Sequence, residues 1–327
     1  METTARPAIT VLCPPDGGRP VGMDRVEAQA EVTYTDAAGL PEALRGADAL
    51  LLWDFFSEAV HDAWPSADSL RWIHVAAAGV DKLLFPELVA SEVVVTNARR
   101  VFDRPIAEFV LGSILAVAKD VHRSHDLQAN KTWLRRETRM VRDATALVVG
   151  TGSIGRETAR LLRAVGMDVR GAGRTARSGD PDFGEIVASS DLVSHVGWAD
   201  HVVVAAPLTA DTRGLISADV LAAMKPGSHL VNIGRGPIID EAALVEALRE
   251  GPVGWASLDV FEVEPLPEES PLWSMPTVAV SAHMSGDYEG WREALAEQFV
   301  GNAQRWLAGD ALVNVVDKQH GFVVEGQ

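Results

Sequence analysis

Three polar side chains suited to acid–base chemistry each stand just beyond a predicted strand. Arg235, Glu264 and His283 all follow short apolar runs, and the intervals between them are 29 and 19 residues. The carboxyl ends of parallel strands meet at one crevice, so we expect these side chains to converge there. An imidazole exchanges protons near neutral pH, a carboxylate can orient it and stabilise its charged form, and a guanidinium binds carboxylates through two parallel hydrogen bonds. The set therefore predicts proton transfer beside a bound anion.

The same residues also have purely structural interpretations. His283 can be a buried histidine with satisfied hydrogen bonds, and Arg235 can pair with Asp259 or Glu262. Glu262 lies two residues from Glu264, so either carboxylate can be the partner of the histidine. We interpret the set as catalytic, because three unrelated structural residues are a poor explanation for polar groups at three matched strand ends.

A second signal is the stretch GTGSIG, which lies between a predicted strand and a predicted helix. In that context G-x-G-x-x-G indicates a dinucleotide site. Gly150 permits a tight turn, Gly152 lets a pyrophosphate approach the backbone, and Gly155 lets the helix pack on the strand. The start of the helix, at Ser153 and Ile154, supplies unpaired N–H groups and a positive dipole end to the phosphates.

The strand that follows bears on which cofactor binds. A site that prefers NAD places Asp or Glu about 20 residues beyond the glycines, where it bonds the ribose 2′-hydroxyl. This chain has GAGRTAR there, so Arg174, Thr175 and Arg177 stand in place of the carboxylate. The planar donors of arginine suit a phosphate, although both arginines can also be ordinary solvated charges. We predict that NADP(H) is preferred over NAD(H).

The elements that must position these residues alternate along the whole chain. Short apolar or β-branched runs are followed by helical patterns, which is typical of parallel α/β folds. The predicted strands are Ala8–Leu12, Ala49–Trp53, Trp72–Val75, Val93–Thr96, Ala146–Val149, Asp168–Ala172, His201–Ala206, His229–Ile233, Trp255–Val260 and Val278–Ser281. The predicted helices include Ile106–Val117, Ile154–Val165 and Glu289–Leu307, and Ser217 and Asp240 are predicted N-caps. A length of 327 residues fits two such domains.

Composition excludes several classes of function. There are 46 acidic against 29 basic residues, a net charge of −17, which repels nucleic-acid phosphates and anionic lipid. We therefore expect no nucleic-acid or membrane partner. The single cysteine excludes an internal disulfide, and the histidines match no ligand spacing, so we predict no metal site. No secretory signal or spanning apolar stretch is visible, so we expect a cytoplasmic protein.

At this point the sequence resembles the D-isomer-specific 2-hydroxyacid dehydrogenases, whose catalytic set has the same order of Arg, Glu and His. Further matches are AAAGVDKL at residues 76–83, IAEFVLG at 106–112, APLTADTRGLI at 206–216 and MKPGSHLVNIGRG at 224–236. The resemblance covers roughly residues 70–316. HMSGDYEGW and NVVDK, near the end of the chain, are similar to bacterial members of the glyoxylate/hydroxypyruvate reductase type.

The resemblance implies a Rossmann nucleotide domain, residues 99–291, inserted in a flavodoxin-like substrate domain made of residues 1–98 and 292–327, both doubly wound around parallel sheets. It also implies closure of the domains over the substrate, and a homodimer formed largely through the nucleotide domains. The expected reaction is reduction of a small 2-oxo acid to the D-2-hydroxy acid by hydride transfer from NAD(P)H.

The resemblance also assigns individual residues. His283 is the general acid, Glu264 is its partner because it precedes a proline, and Arg235 binds the substrate. The remaining assignments are Ala78, Gly79 and Val80 for the substrate carboxylate, and Pro207, Thr212, Ile233 and Asp259 for the cofactor. Two alternatives stay open: a relative that acts on another 2-hydroxy acid such as phosphoglycerate, and a nucleotide-sensing scaffold without turnover.

Overall fold

The computed structural model describes residues 6–323, whose strands form two separate sheets. The strands are β1 (Ala8–Leu12), β2 (Glu31–Thr35), β3 (Ala49–Leu52), β4 (Trp72–Val75), β5 (Val94–Asn97), β6 (Thr145–Val149), β7 (Asp168–Gly173), β8 (Arg177–Asp180), β9 (Gly184–Ala188), β10 (His201–Val204), β11 (Ser228–Asn232), β12 (Val253–Leu258) and β13 (Val278–Val280). The α-helices are α1 (Asp24–Glu27), α2 (Leu40–Ala43), α3 (Ala59–Ala63), α4 (Pro86–Ala90), α5 (Asp103–Ala118), α6 (Val121–Ala129), α7 (Ser153–Ala164), α8 (Ala218–Ala222), α9 (Glu241–Arg249) and α10 (Trp291–Ala308).

The first sheet has the strand order β2-β1-β3-β4-β5, and all its pairings are parallel. Its central strands are almost entirely apolar, as in ALLL of β3, and they are buried on both faces. Continuous apolar runs of this kind are what a parallel sheet covered on both sides requires. The order is that of a flavodoxin-like doubly wound sheet.

The second sheet has the order β13-β12-β11-β10-β6-β7-β9-β8. Only β8, at one edge, runs antiparallel to its neighbour. The strand order reverses between β6 and β10, and in doubly wound sheets such a switch point opens the crevice where ligands bind. The carboxyl ends of β6, β10, β11 and β12 therefore face the region where a ligand is expected.

The chain divides into two compact units. The first contains the residues up to Phe102 together with those from Tyr288 onward, and the second runs from Asp103 to Asp287. The predicted boundaries, 98/99 and 291/292, lie four residues from these positions. The first unit is discontinuous, because α10 and the segment after it pack with β1–β5.

The segment after α10 is fastened to the first sheet by hydrogen bonds and by apolar packing. The ammonium group of Lys318 donates to the carbonyl oxygens of Leu88, Ser91 and Val93, at 3.1, 2.6 and 2.9 Å. Val316 is buried in the apolar core of the same unit. The last described residues are thus an integral part of the first unit.

The predicted α/β class is confirmed, and several elements match closely. Ala8–Leu12 and Trp72–Val75 are strands over the predicted residues, and the side chains of Ser217 and Asp240 cap α8 and α9. The prediction missed β2, β8 and β9. These strands lie at or next to sheet edges, where exposed polar residues hide the apolar pattern that marks a central strand.

Three buried histidines make the folded state sensitive to acid. His74, on β4, lies 2.8 Å from the hydroxyl of Thr96, and burial lowers its pKa to about 3. In the second unit the Nδ1 atoms of His201 and His229 are 3.3 Å apart, and Nε2 of His229 lies 3.0 Å from the hydroxyl of Ser257. Burial lowers the pKa of His201 to about 4 and that of His229 well below its usual value.

We therefore expect acid to destabilise the protein before its carboxylates titrate. A histidine in the unfolded chain has a pKa of about 6.5, so below that pH the unfolded state binds protons that the folded state excludes. The free energy of unfolding should be constant above about pH 7 and should fall as the pH drops from about 6.5 toward 4, by up to about 1.4 kcal/mol per pH unit for each group. Urea unfolding at pH 7.5 and pH 5.0 measures the difference. This difference in the free energy of unfolding should be smaller in His74→Phe than in the parent protein. It should be unchanged in His61→Phe, which alters an exposed histidine. If the stability of His74→Phe depended on pH as strongly as that of the parent protein, His74 would not contribute to the acid sensitivity.

Candidate active site

The glycine-rich turn leads from β6 into α7. Gly150 has a φ of +112°, and a Cβ there would lie 2.5 Å from the carbonyl carbon of Ala205. A Cβ on Gly155 would lie 1.9 Å from the carbonyl oxygen of Gly150. A Cβ on Gly152, by contrast, would meet no atom within 4 Å, so the backbone is open at that point. These are the features that a pyrophosphate site at a helix N-terminus needs, and the turn fits that group.

The predicted ribose-binding residues follow β7, next to the glycine-rich turn. A Cβ on Gly173, at the end of β7, would lie 3.0 Å from the hydroxyl of Thr151. Arg174 and Thr175 are exposed directly beyond it. Arg177 belongs to β8 and forms a 3.1 Å ion pair with Asp180. Its guanidinium is therefore held by a neighbouring carboxylate, while 45% of its side chain stays exposed.

Asp180 also binds an arginine of α7. Both terminal nitrogens of Arg156 donate to it, at 3.0 and 3.1 Å, and Arg156 donates in addition to Asp182 at 2.8 Å. Arg160 completes the cluster with two hydrogen bonds to Asp182, at 2.7 and 3.0 Å. Burial alone would raise the pKa of Asp180, but hydrogen bonds from Arg156, from the backbone of Asp182 and from Arg177 outweigh it and hold the pKa well below its usual value. Asp180 is thus an anion that joins β8 to α7.

His283 and Glu264 form the central pair of the site. The Nδ1 atom of His283 lies 2.8 Å from a carboxylate oxygen of Glu264, and the other oxygen of Glu264 accepts a 3.0 Å hydrogen bond from the backbone N–H of Phe261. Burial acts to raise the pKa of Glu264, but the hydrogen bond from His283 and that from Phe261 lower it overall. Glu264 is therefore an anion fixed from two sides, and it engages the Nδ1 side of the His283 ring.

The alternative partner, Glu262, is engaged elsewhere. Its carboxylate accepts the backbone N–H of Glu241 at 3.2 Å, and the carboxylate of Glu241 accepts the backbone N–H of Glu262 at 3.1 Å. This reciprocal pair fastens the loop after β12 to the start of α9. The structure therefore places Glu264, and not Glu262, beside the histidine.

Arg235 stands at the end of β11 in an extended conformation. Its Nη1 donates to the carbonyl oxygen of Gly234 at 2.8 Å, and its positive charge helps to lower the pKa of Glu264. The next residue, Gly236, lies so close to the loop after β12 that a Cβ there would be 1.8 Å from the carbonyl carbon of Phe261. This close approach brings the loop that carries Arg235 against the loop that carries Glu264.

Asp259 organises the loop that carries His283. The residue is 1% exposed, and its carboxylate accepts hydrogen bonds from the hydroxyl of Ser281 at 2.6 Å and from the backbone N–H groups of Met284 and Ser285, both at 2.9 Å. The backbone N–H of His283 donates to the carbonyl oxygen of Asp259 at 2.8 Å. His283 itself has a φ of +52°, a left-handed conformation that is uncommon for residues other than glycine, although histidine, asparagine and aspartate adopt it more often than the rest. These hydrogen bonds hold the backbone in that conformation.

The remaining predicted residues lie in two places. Pro207 and Thr212 follow β10, where the hydroxyl of Thr212 donates to the carbonyl oxygen of Pro207 at 2.6 Å, and Ile233 is buried just after β11. The predicted substrate-binding segment, residues 78–80, belongs to the first unit and follows β4. There the side-chain amide of Asn97 donates to the carbonyl oxygen of Ala78 at 2.6 Å.

Sequence reasoning missed the acidic residues that hold the arginines and loops of this site. Asp180 and Asp182 lie more than 20 residues beyond Arg156, and no spacing rule connects them, because the link is made across β8. The role of Glu241 as a partner of Glu262 was also missed, although its place at the start of a capped helix was visible. Between residues 6 and 323 no group of three or more His, Cys, Asp or Glu side chains could hold a metal ion, and no helix is long and apolar enough to cross a membrane.

Comparison with known proteins gives a consistent result. Residues 111–285 match the model of the family "D-isomer specific 2-hydroxyacid dehydrogenase, NAD binding domain". The glyoxylate reductase of Thermofilum pendens is 31% identical, over 84% of this chain and 83% of that protein.

Solved structures are similar over nearly the whole chain. A D-isomer-specific 2-hydroxyacid dehydrogenase from Xanthobacter autotrophicus in complex with NADPH has a TM-score of 0.81 and 31% identity, covering 97% of this chain and 100% of its own. The NADPH-dependent glyoxylate/hydroxypyruvate reductase of Sinorhizobium meliloti has a TM-score of 0.80 and 28% identity, with the same coverage of both chains.

The close approach at Gly236 can be tested by adding a methyl group. In Gly236→Ala the new Cβ collides with the backbone of Phe261, so the two loops must separate. We expect a loss of at least about 2 kcal/mol in the free energy of unfolding, measured by urea unfolding, and a lower rate of turnover. Gly112→Ala is the control, since a Cβ there meets no atom within 4 Å on an exposed position of α5. That variant should gain up to about 1 kcal/mol. Equal stability of the two variants would show that the approach is not tight.

Proposed function

The chain belongs to the D-isomer-specific 2-hydroxyacid dehydrogenase family, and from this premise we propose that it reduces a small 2-oxo acid of the glyoxylate or hydroxypyruvate type to the D-2-hydroxy acid, with NADPH favoured over NADH. Membership makes it an NAD(P)-dependent oxidoreductase that acts on CH–OH donors. The observation that carries the proposal is the 2.8 Å contact between Glu264 and His283, with the charge of Arg235 close by.

In the proposed mechanism His283 is the proton donor. Glu264 occupies its Nδ1 atom, so Nε2 is directed to the developing alkoxide of the substrate. The anionic Glu264 stabilises the imidazolium before the transfer and keeps the ring in one orientation after it. In the reverse direction the neutral ring accepts the proton of the hydroxy acid.

Arg235 supplies the positive charge in this mechanism. A guanidinium can bind the substrate carboxylate and polarise the ketone with its planar set of donors. Arg235 is extended and follows β11, on the loop that approaches the loop of Glu264. The backbone amides of Gly79 and Val80 are proposed as further donors for the carboxylate.

The cofactor would be held by the glycine-rich turn and the residues beyond β7. Gly150, Gly152 and Gly155, with the N-terminus of α7 at Ser153, provide the space and the N–H groups for a pyrophosphate. When bound, the nicotinamide supplies the hydride. Asp259 would act beside the nicotinamide by positioning the loop of His283, because the carboxylate of Asp259 keeps that loop in place.

Two observations support a preference for NADPH. The end of β7 carries Arg174, Thr175 and Arg177 where a carboxylate would bind the 2′-hydroxyl of NADH. In addition, a Xanthobacter relative binds NADPH in its crystal structure, and the Sinorhizobium relative is NADPH-dependent. The relatives named glyoxylate reductase support the proposed substrate class.

The first experiment combines a substrate panel with a variant of the proton donor. The purified enzyme should oxidise NADPH faster than NADH in the presence of glyoxylate or hydroxypyruvate, followed by nicotinamide absorbance. His283→Asn suits the left-handed backbone at this position but cannot donate a proton, so we expect it to lower kcat by about 10²–10⁴-fold while NADPH still binds.

The control is His195→Ala, which removes a histidine on the connection between β9 and β10 and should leave turnover unchanged. Undiminished kcat in His283→Asn would refute the catalytic assignment. Binding of NADPH without any oxidation, across the whole panel of 2-oxo acids, would favour the nucleotide-sensing alternative.

We also propose a homodimer built on α6 and on the extended segment that follows it, residues 131–143, here called the arm. The helix has no buried residue, and Trp133 on the arm is 94% exposed. The arm is nevertheless fixed, because Lys119 donates to the carbonyl oxygen of Arg139 and the guanidinium of Arg136 pairs with Asp120. An exposed tryptophan held on an ordered segment is typical of an interface.

Charge favours a second copy of the chain as the partner. Residues 119–143 contain seven lysines and arginines against four acidic residues, although the whole chain has a net charge of −17. A basic surface on an acidic protein is complementary to other surfaces of the same molecule.

Trp133→Glu should therefore shift the protein from dimer to monomer in light scattering after size exclusion. Trp273→Glu is the matched control, since Trp273 is 54% exposed in the same unit and belongs neither to α6 nor to the arm, and it should remain dimeric. A monomeric parent protein would overturn the proposed homodimer. A dimeric Trp133→Glu variant would show that the dimer interface does not depend on Trp133 and lies elsewhere.

A further inference from the structure

We propose that Asp180 is a positioning residue for the cofactor: it holds the guanidinium of Arg177 beside the glycine-rich turn, ready to receive the 2′-phosphate of NADPH. The proposal rests on the cofactor preference proposed above and deepens it, because it names the group that makes an exposed arginine selective. Asp180 would touch neither the cofactor nor the substrate and would act only through Arg177.

The contacts of Asp180 show how it can do this. One carboxylate oxygen, Oδ2, accepts from Nε and Nη2 of Arg177 at 3.3 and 3.1 Å and also from Nη2 of Arg156 at 3.1 Å. The other, Oδ1, accepts from Nη1 of Arg156 and from the backbone N–H groups of Asp182 and Phe183, at 3.0, 3.1 and 3.3 Å. A single carboxylate therefore fixes two guanidinium groups and the turn that follows it.

Asp180 also ties Arg177 to the part of the fold that would bind the pyrophosphate. Arg156 lies on the first turn of α7, where its backbone N–H donates to the carbonyl oxygen of Gly152 at 2.9 Å. The turn held by Asp180 carries Phe183, and a Cβ on Gly171 of β7 would lie 3.0 Å from that ring. The position of Arg177 is thus defined relative to both the helix and the strand that border the nucleotide site.

Burial distinguishes this ion pair from an ordinary surface pair. The side chain of Asp180 is 3% exposed and that of Arg177 is 45% exposed, so the carboxylate is shielded while the guanidinium reaches solvent. An exposed arginine normally loses rotamer freedom when it binds a phosphate, and that loss weakens binding. Arg177 is ordered in advance through its Nε and Nη2 groups, and the remaining –NH2 group of a guanidinium can donate to a ligand.

The carboxylates of this cluster are all engaged by arginines. Arg156 and Arg177 bind Asp180, Arg156 and Arg160 bind Asp182, and Arg160 also pairs with Glu157. These three arginines and three carboxylates balance, so what favours a dianionic phosphate over a neutral 2′-hydroxyl is the exposed and oriented guanidinium of Arg177. The arrangement favours NADPH specifically, and not dinucleotides in general.

The test compares dissociation constants for NADPH and NADH, measured by quenching of tryptophan fluorescence, in four full-length proteins with the parent enzyme as reference. They are Asp180→Asn, Asp182→Asn, Arg177→Ala and the double variant Arg177→Ala/Asp180→Asn. In Asp180→Asn we expect the Kd for NADPH to rise on the order of tenfold and the Kd for NADH to change less than about twofold. Asp182→Asn is the matched control, since it removes a neighbouring buried carboxylate that binds Arg156 and Arg160 but not Arg177. It should leave the ratio of the two constants unchanged.

The remaining outcomes separate this proposal from the one on which it rests. Arg177→Ala should lower the preference for NADPH, and Asp180→Asn should add nothing in that background, because Asp180 acts through Arg177. A parallel loss of both cofactors in Asp180→Asn, or tighter NADPH binding, would overturn the positioning role. An unchanged ratio in Arg177→Ala would instead overturn the proposed use of Arg177, whatever Asp180 does. Variants that do not fold are recognised by their circular dichroism, and Asp180→Glu, which keeps the charge, should then retain the preference in the folded state.

Discussion

The buried carboxylate of Asp259 is the anchor on which the rest of the candidate active site depends. It accepts hydrogen bonds from three groups of the loop after β13, while its own backbone carbonyl accepts the N–H of His283. These bonds fix the loop in which His283 has a φ of +52°, a conformation that costs free energy for most side chains. In that conformation the ring meets the carboxylate of Glu264. A carboxylate that is almost inaccessible to solvent thus stabilises the backbone that presents the histidine.

In the second unit, carboxylates hold cationic or proton-donating side chains in place at both the proposed catalytic site and the proposed cofactor site. Two of the side chains that are proposed to meet a ligand are fixed by a carboxylate, since Glu264 fixes His283 and Asp180 fixes Arg177. The chain has far more carboxylates than cations, and at these places it uses carboxylates to hold cationic or proton-donating groups in one geometry. Preorganisation of this kind reduces the reorganisation that binding and catalysis would otherwise require.

The sequence predicted the architecture and the proposed catalytic set for identifiable physical reasons. Central parallel strands are buried on both faces, so their apolar runs are visible in the sequence. At the turn after β6, Gly150 and Gly155 are required because a Cβ at either position would collide with backbone atoms. It did not predict β8, whose four residues RSGD have no apolar pattern, and for that reason it did not see that Arg177 is paired. Residue chemistry alone left Glu262 and Glu264 open as partners of the histidine, and the family resemblance selected Glu264 because it precedes a proline. The fold adds the physical reason, since Glu262 is bonded to the start of α9 and the backbone of Phe261 orients Glu264.

The way in which Lys318 and Val316 join the first sheet has a consequence for synthesis on the ribosome. All residues of the second unit leave the exit tunnel before Lys318 does, so this unit can fold while the chain is still being made. The five strands of the first unit emerge earlier still, but their core lacks Val316 and α10, and the carbonyl groups of Leu88, Ser91 and Val93 lack their ammonium partner. The five strands of the first unit are therefore translated before the second unit but are completed after it, and in the interval their exposed apolar surface favours aggregation.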